Sequence, residues 1–129
     1  HNPLGLWAGK TWELLLALQD YAVERAADRA INVDHYLMNT PPHLHGYPAN
    51  RHASDESETV KTTKKFSRVR LLPVPRHVDT RGRVFMGAHF KIAQYGIVSP
   101  RLHYVDNVHG DGKIYVGYIG PHLPNGNTN

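Results

Sequence analysis

The sequence predicts an α+β fold, with one long and one short N-terminal helix packed on a four-stranded antiparallel sheet. Three observations predict it. Apolar residues recur at three- and four-residue steps before residue 40, they alternate at every second position after residue 65, and short Gly-containing turns link the alternating segments. The 129 residues suit one domain. Its expected parts are a helical part over 1–40, an irregular loop over 41–65 and the sheet over 66–123.

Thr11 starts the long helix, which is expected to end near Arg29. Leu14, Leu15, Leu18, Ala22 and Ala26 form its apolar face, and Glu13, Asp20, Glu24 and Asp28 occupy much of the rest. Trp7 and Trp12 are expected as core anchors, because a small core needs their large apolar area. Asn32 to Met38 forms the short helix, which Thr40-Pro41-Pro42 ends. From Pro41 to Arg51 the chain is rich in Pro, His, Gly, Tyr and Asn, the composition of a loop. Ser54-Asp55-Glu56-Ser57-Glu58 reads as a solvated turn or a short cap.

Four strands follow, at Ser67–Val74, Val84–Ala93, Arg101–Asp106 and Lys113–Gly120. In the first, Val69 and Leu71 oppose Arg68 and Arg70. In the second, Val84, Met86, Ala88, Phe90 and Ile92 oppose His89 and Lys91. Leu102 and Tyr104 alternate with Arg101 and His103, and Ile114, Val116 and Tyr118 alternate with Tyr115, Gly117 and Ile119. Asp79-Thr80-Arg81-Gly82, Gly96 to Pro100, and His109-Gly110-Asp111-Gly112 supply the connections of a meander. The helix would cover one face and leave the other to solvent or a ligand.

The formal net charge of +4 conceals a polarity along the chain. The first 60 residues hold four basic against eight acidic residues, whereas residues 61–101 hold ten basic residues against Asp79 alone. A folded face of that charge attracts polyanions, above all a phosphate backbone. Arg68, Arg70 and Lys91, with Lys64 and Lys65, are the expected nucleic-acid contacts. RNA is favoured over DNA because a sheet with interspersed Tyr and His, rather than a major-groove helix, presents the charge. A non-catalytic nucleic-acid-binding or protein-interaction module of a larger protein is the alternative. The start at His1 rather than Met fits an excised domain with neighbours in a parent chain.

Without cysteine the chain has no disulfide, no thiolate nucleophile and no sulfur-ligated zinc. It also lacks a Gly-rich phosphate loop, a Ser-centred elbow and paired carboxylates. A magnesium nuclease would need clustered acids, and the basic segment offers only Asp79. No cofactor and no metal are expected. His43, His45 and His52 have nitrogen-donor spacing but lie in the Pro/His loop, where adventitious capture is the expectation. Ile114-Tyr115 and Tyr118-Ile119-Gly120 share one strand, which departs from the separate-strand arrangement of GIY-YIG nucleases.

If each strand turns its apolar set toward the long helix, the opposite surface carries Arg68, Arg70, His89, Lys91, Arg101, His103 and Tyr115. Cleavage of RNA through its own 2′-hydroxyl needs a base, an acid and cations around the phosphorane, and imidazoles can fill both proton-transfer roles. His89 and His103 are therefore the expected acid–base pair, Arg101 and Lys91 the phosphate clamps, and Tyr115 a hydrogen-bond donor or stacking surface. His122, just past the last strand, is a third candidate. The order of elements resembles that of small metal-independent endoribonucleases of the bacterial toxin kind; the resemblance is one of layout and implies metal-free cleavage of RNA. No apolar run is long enough to span a membrane, no secretory signal is visible at the start, and a soluble, cytoplasmic protein is the expectation.

Overall fold

The long helix forms because residues that repel water return to one side of it every three or four positions. In the computed structural model, which describes residues 3–93 and 100–126, α1 spans Pro3–Ala26 and buries Leu14, Ala17, Leu18, Tyr21 and Ala22. The buried stripe differs by one column from the expected one: Tyr21 is fully buried, and Ala26 is exposed. Trp12 lies on the outer side of the helix, 62% exposed, so it is not a core anchor.

α1 ends where Asp28 adopts a left-handed backbone (φ 59°) and the Arg29 amide donates to the Glu24 carbonyl at 2.8 Å. Glycine carries no Cβ penalty in that conformation. Asp28→Gly is therefore expected to raise the unfolding free energy by about 0.5–1 kcal/mol, read as a rise in the midpoint of thermal unfolding.

The short helix is found where expected. α2 (Val33–Met38) begins at Asn32, whose side chain accepts from the His35 amide at 2.8 Å, and it buries Val33 and Tyr36. The 41–65 segment is more ordered than a loop. A 3₁₀ turn at Ala49–Arg51 leads into β1 (His52–Ala53), and α3 (Glu58–Thr62) starts at Ser57, which accepts from the Val60 amide at 3.3 Å. The acidic run thus serves in part as a helix cap.

The largest departure falls at residues 64–74. The expected strand there is replaced by α4 (Lys64–Ser67), a 3₁₀ turn at Arg68–Arg70 and only a short strand, β2 (Leu71–Pro73). The apparent alternation failed because Arg70 is an interior residue, 1% exposed, whose guanidinium pairs with Glu56. β2 pairs with β3 (Arg83–Phe85) through the expected turn, where Gly82 has φ 74° and its amide donates to Asp79 at 2.8 Å. This hairpin is a separate two-stranded sheet.

The main sheet has the order β1-β4-β5-β6, all antiparallel, from β4 (His89–Lys91), β5 (Arg101–Asn107) and β6 (Lys113–Gly120). The four-stranded antiparallel sheet is thus present, with His52–Ala53 as its edge in place of the 67–74 segment. Val84 to Ala93 is one run in sequence but two strands in space, because the chain crosses between sheets at Met86-Gly87-Ala88. The Gly96–Pro100 connection lies, apart from Pro100, outside the described residues. Between β5 and β6 the short helix α5 (Val108–Asp111) closes on Gly112, whose φ is 81°.

Two apolar clusters lie on opposite sides of the sheet. Phe90, Ile92, Leu102, Tyr104 and Val108 pack with α1 and α2. Leu72, Val74 and Met86 of the hairpin layer pack with Val105, Tyr115 and Tyr118 on the other side. The face expected to be open is therefore partly roofed. Gly117 makes the roof possible: a methyl group there would stand 2.7 Å from Leu72 Cβ. It also has no partner across β5, since His103 pairs with Tyr118 and Tyr104 pairs with Val116. This bulge puts Tyr115 and Tyr118 on the same side, which strict alternation forbids.

Candidate functional site

Antiparallel pairing brings the two expected imidazoles together. His89 and His103 are direct cross-strand partners, their rings stacked with centroids 4.9 Å apart and planes 22° from parallel. Each is oriented by the main chain. His89 Nδ1 lies 2.7 Å from the Gly87 carbonyl and His103 Nδ1 lies 2.9 Å from the Met86 carbonyl. A carbonyl only accepts, so both Nδ1 atoms carry the proton when the rings are neutral, and both Nε2 atoms keep a lone pair. Tyr118 meets His103 edge-on, with centroids 5.9 Å apart.

Glu56 completes the cluster. One ligand atom from each of Glu56, His89 and His103 lies within 4.8 Å of the others. The acidic run gave no sign of this in sequence. Glu56 arrives because Gly87 has no side chain: a Cβ there would collide with Asp55 Oδ1 and sit 3.3 Å from the Glu56 amide. Asp55 in turn is held by Lys61 at 2.9 Å, which lowers its pKa.

Arg70 anchors the carboxylate from behind. Its Nε donates to Glu56 Oε2, its Nη1 donates to the Phe66 and Pro124 carbonyls at 2.9 and 2.7 Å, and its Nη2 reaches the Leu123 carbonyl at 3.5 Å. These bonds tie the 121–126 segment to the site. They also correct the expectation for Arg70, which is a buried fastener rather than an exposed phosphate contact.

Charge around the cluster is positive. Arg101 pairs across the sheet with Lys91, one rung beyond the phenylalanine–leucine pair that follows the histidines. Arg101 is buried, its pKa lowered by desolvation and raised in smaller measure by Glu56. His103 is 2% exposed, and burial pushes its pKa down to about 4, with smaller contributions from the charges of His89 and Arg70 in the same direction. It is neutral at pH 7, and the burial of His103 and Arg101 corrects the expectation that both stand on an open face. His122 also lies near, its pKa lowered first by burial and then by Arg101 and Arg70.

Other expected residues stand elsewhere. Tyr115 faces Val105, and its hydroxyl donates to Asp111, which His77 Nε2 also approaches at 2.9 Å; Tyr118 is the tyrosine beside His103. Lys64, Lys65 and Arg68 are exposed on α4 and the 3₁₀ turn leading to Arg70, with Lys65 Nζ 5.1 Å from the Phe66 ring centre. Lys91 is half-buried. The three loop histidines do not form a metal site: His45 Nδ1 pairs with Asp20 at 2.8 Å, while the His52 ring bridges Asp34 and Tyr104, each at 2.7 Å.

Two clefts open nearby, the first bordering the cluster at Asp55 and Gly87 and the second on the far side of the sheet beside α1. One of about 400 Å³ runs past Asp34, His52, Asp55 and Asp106, and one of about 550 Å³ lies between α1 and β6 beside Leu15, Gln19 and Val116. The first is lined with carboxylates, and the second mixes aliphatic side chains with Gln19, Asp111 and Lys113. No helix among the described residues is long and apolar enough to cross a membrane. No protein-family model, no curated protein and no solved structure matches the chain.

Proposed function

We propose that the chain binds RNA and cleaves it without a metal, by attack of the 2′-hydroxyl on the neighbouring phosphate. The observation that carries this reading is the cross-strand pair His89–His103, each Nδ1 bound to a carbonyl, with Glu56 beside them and Arg101 and Lys91 close by on the same strands. His89, the more open ring, takes the 2′-hydroxyl proton at Nε2 and returns it to the leaving 5′-oxygen, while buried His103 stacks against it and holds it in place. Glu56 stabilises the imidazolium form of His89, and Arg101 and Lys91 stabilise charge on the phosphorane. Lys64, Lys65 and Arg68, exposed on α4 and the turn after it, supply separate contacts to the RNA backbone.

Incubation of the chain with end-labelled RNA in EDTA is the test. Products ending in 2′,3′-cyclic phosphate are expected. Intact RNA bound in a salt-dependent manner would replace the nuclease by a binding module. Failure to bind RNA or DNA at low salt would leave the basic surface to an acidic protein partner.

A further inference from the structure

Glu56, His89 and His103 differ from an ordinary cluster of polar residues in how they are held. Both imidazoles donate Nδ1–H to main-chain carbonyls, and the carboxylate is fixed by Arg70, which is the outer-shell support that orients metal ligands. Their ligand atoms lie within 4.8 Å of one another. Donors sharing one tetrahedral zinc lie about 3.3 Å apart, given metal–ligand lengths of about 2.0–2.1 Å, so modest side-chain adjustments close the triangle. The geometry points to a transition-metal site at these three residues, whose occupation by zinc(II) switches off RNA cleavage. The switch rests on the proposed function; the metal site does not.

Two nitrogen donors and one oxygen select an ion that favours imidazole, such as zinc or cobalt(II), over magnesium or calcium. The nearby guanidiniums of Arg70 and Arg101 oppose a doubly charged ion. Binding is therefore reversible by chelators rather than structural. When the ion is seated it takes a nitrogen lone pair from each imidazole, which removes His89 as the proton carrier.

Calorimetric titration of the chelator-stripped chain with zinc chloride tests the site. One ion per chain is expected, with affinity reduced at least about tenfold by His89→Ala and by Glu56→Gln. His45→Ala should leave it unchanged, and magnesium should give no binding. Cobalt(II) should produce visible absorption bands that His89→Ala abolishes. Circular dichroism of each variant separates lost ligation from lost folding. Absence of zinc binding, equal affinity in His89→Ala, or loss confined to the His45 variant overturns the site.

In the RNA assay, zinc should stop cleavage at the concentration that fills the site, and EDTA should restore it. Cleavage that persists at saturating zinc overturns the switch. Zinc bound through these residues in a chain that cuts no RNA overturns the proposed function and leaves the metal site standing.

Discussion

Replacing Arg70 by methionine is expected to lower the unfolding free energy by about 3–5 kcal/mol, because it leaves the Glu56 carboxylate largely buried without its counter-charge. The same change removes the donors that hold the Phe66, Leu123 and Pro124 carbonyls. Urea unfolding followed by circular dichroism reads the loss, and limited proteolysis reads release of the 121–126 segment. The double variant Arg70→Met with Glu56→Gln should recover part of the stability, since the remaining neutral amide costs less to bury. A loss below about 1 kcal/mol, the range of an exposed pair, would show that the interior position of Arg70 contributes little.

His89→Ala is expected to slow RNA cleavage at least about 100-fold, the range for removal of a positioned proton donor, while RNA affinity changes little. His103→Gln should cost less activity, since it removes the ring that stacks on His89 and not the proton carrier. Stability responds to pH through His103. Between about 6.5 and 4 the unfolded chain takes a proton that the folded His103 refuses, so the unfolding free energy declines as pH drops across that window. His103→Gln should flatten the decline. Normal cleavage by folded His89→Ala protein would remove His89 from the chemistry.

Local signals made much of the architecture legible. The period of α1, the Asn32 cap, the Gly82 and Gly112 turns and the alternation in β5 all report forces between residues close in sequence. The His89–His103 pair followed from that alternation once the two strands were placed side by side. What escaped depends on distant partners. Arg70 mimics an outward strand residue, and only Glu56, reached through the fold, explains its burial. Glu56 looked solvated because its neighbours Asp55 and Ser57 are. β1 is two residues long, too short for any period to show. The register shift at Gly117 puts Tyr118, rather than Tyr115, beside His103, and no alternation in the sequence announces it.

The crossing at Met86-Gly87 has an outcome for inheritance as well as for chemistry. A carboxylate that orients an imidazole can be lost by a single codon change, whereas the peptide oxygen of Met86 is supplied by any amino acid there and that of Gly87 is fixed by the lack of room for a side chain. Drift around the two rings can therefore alter their surroundings while leaving the hydrogen on the same nitrogen, so long as the backbone keeps its path.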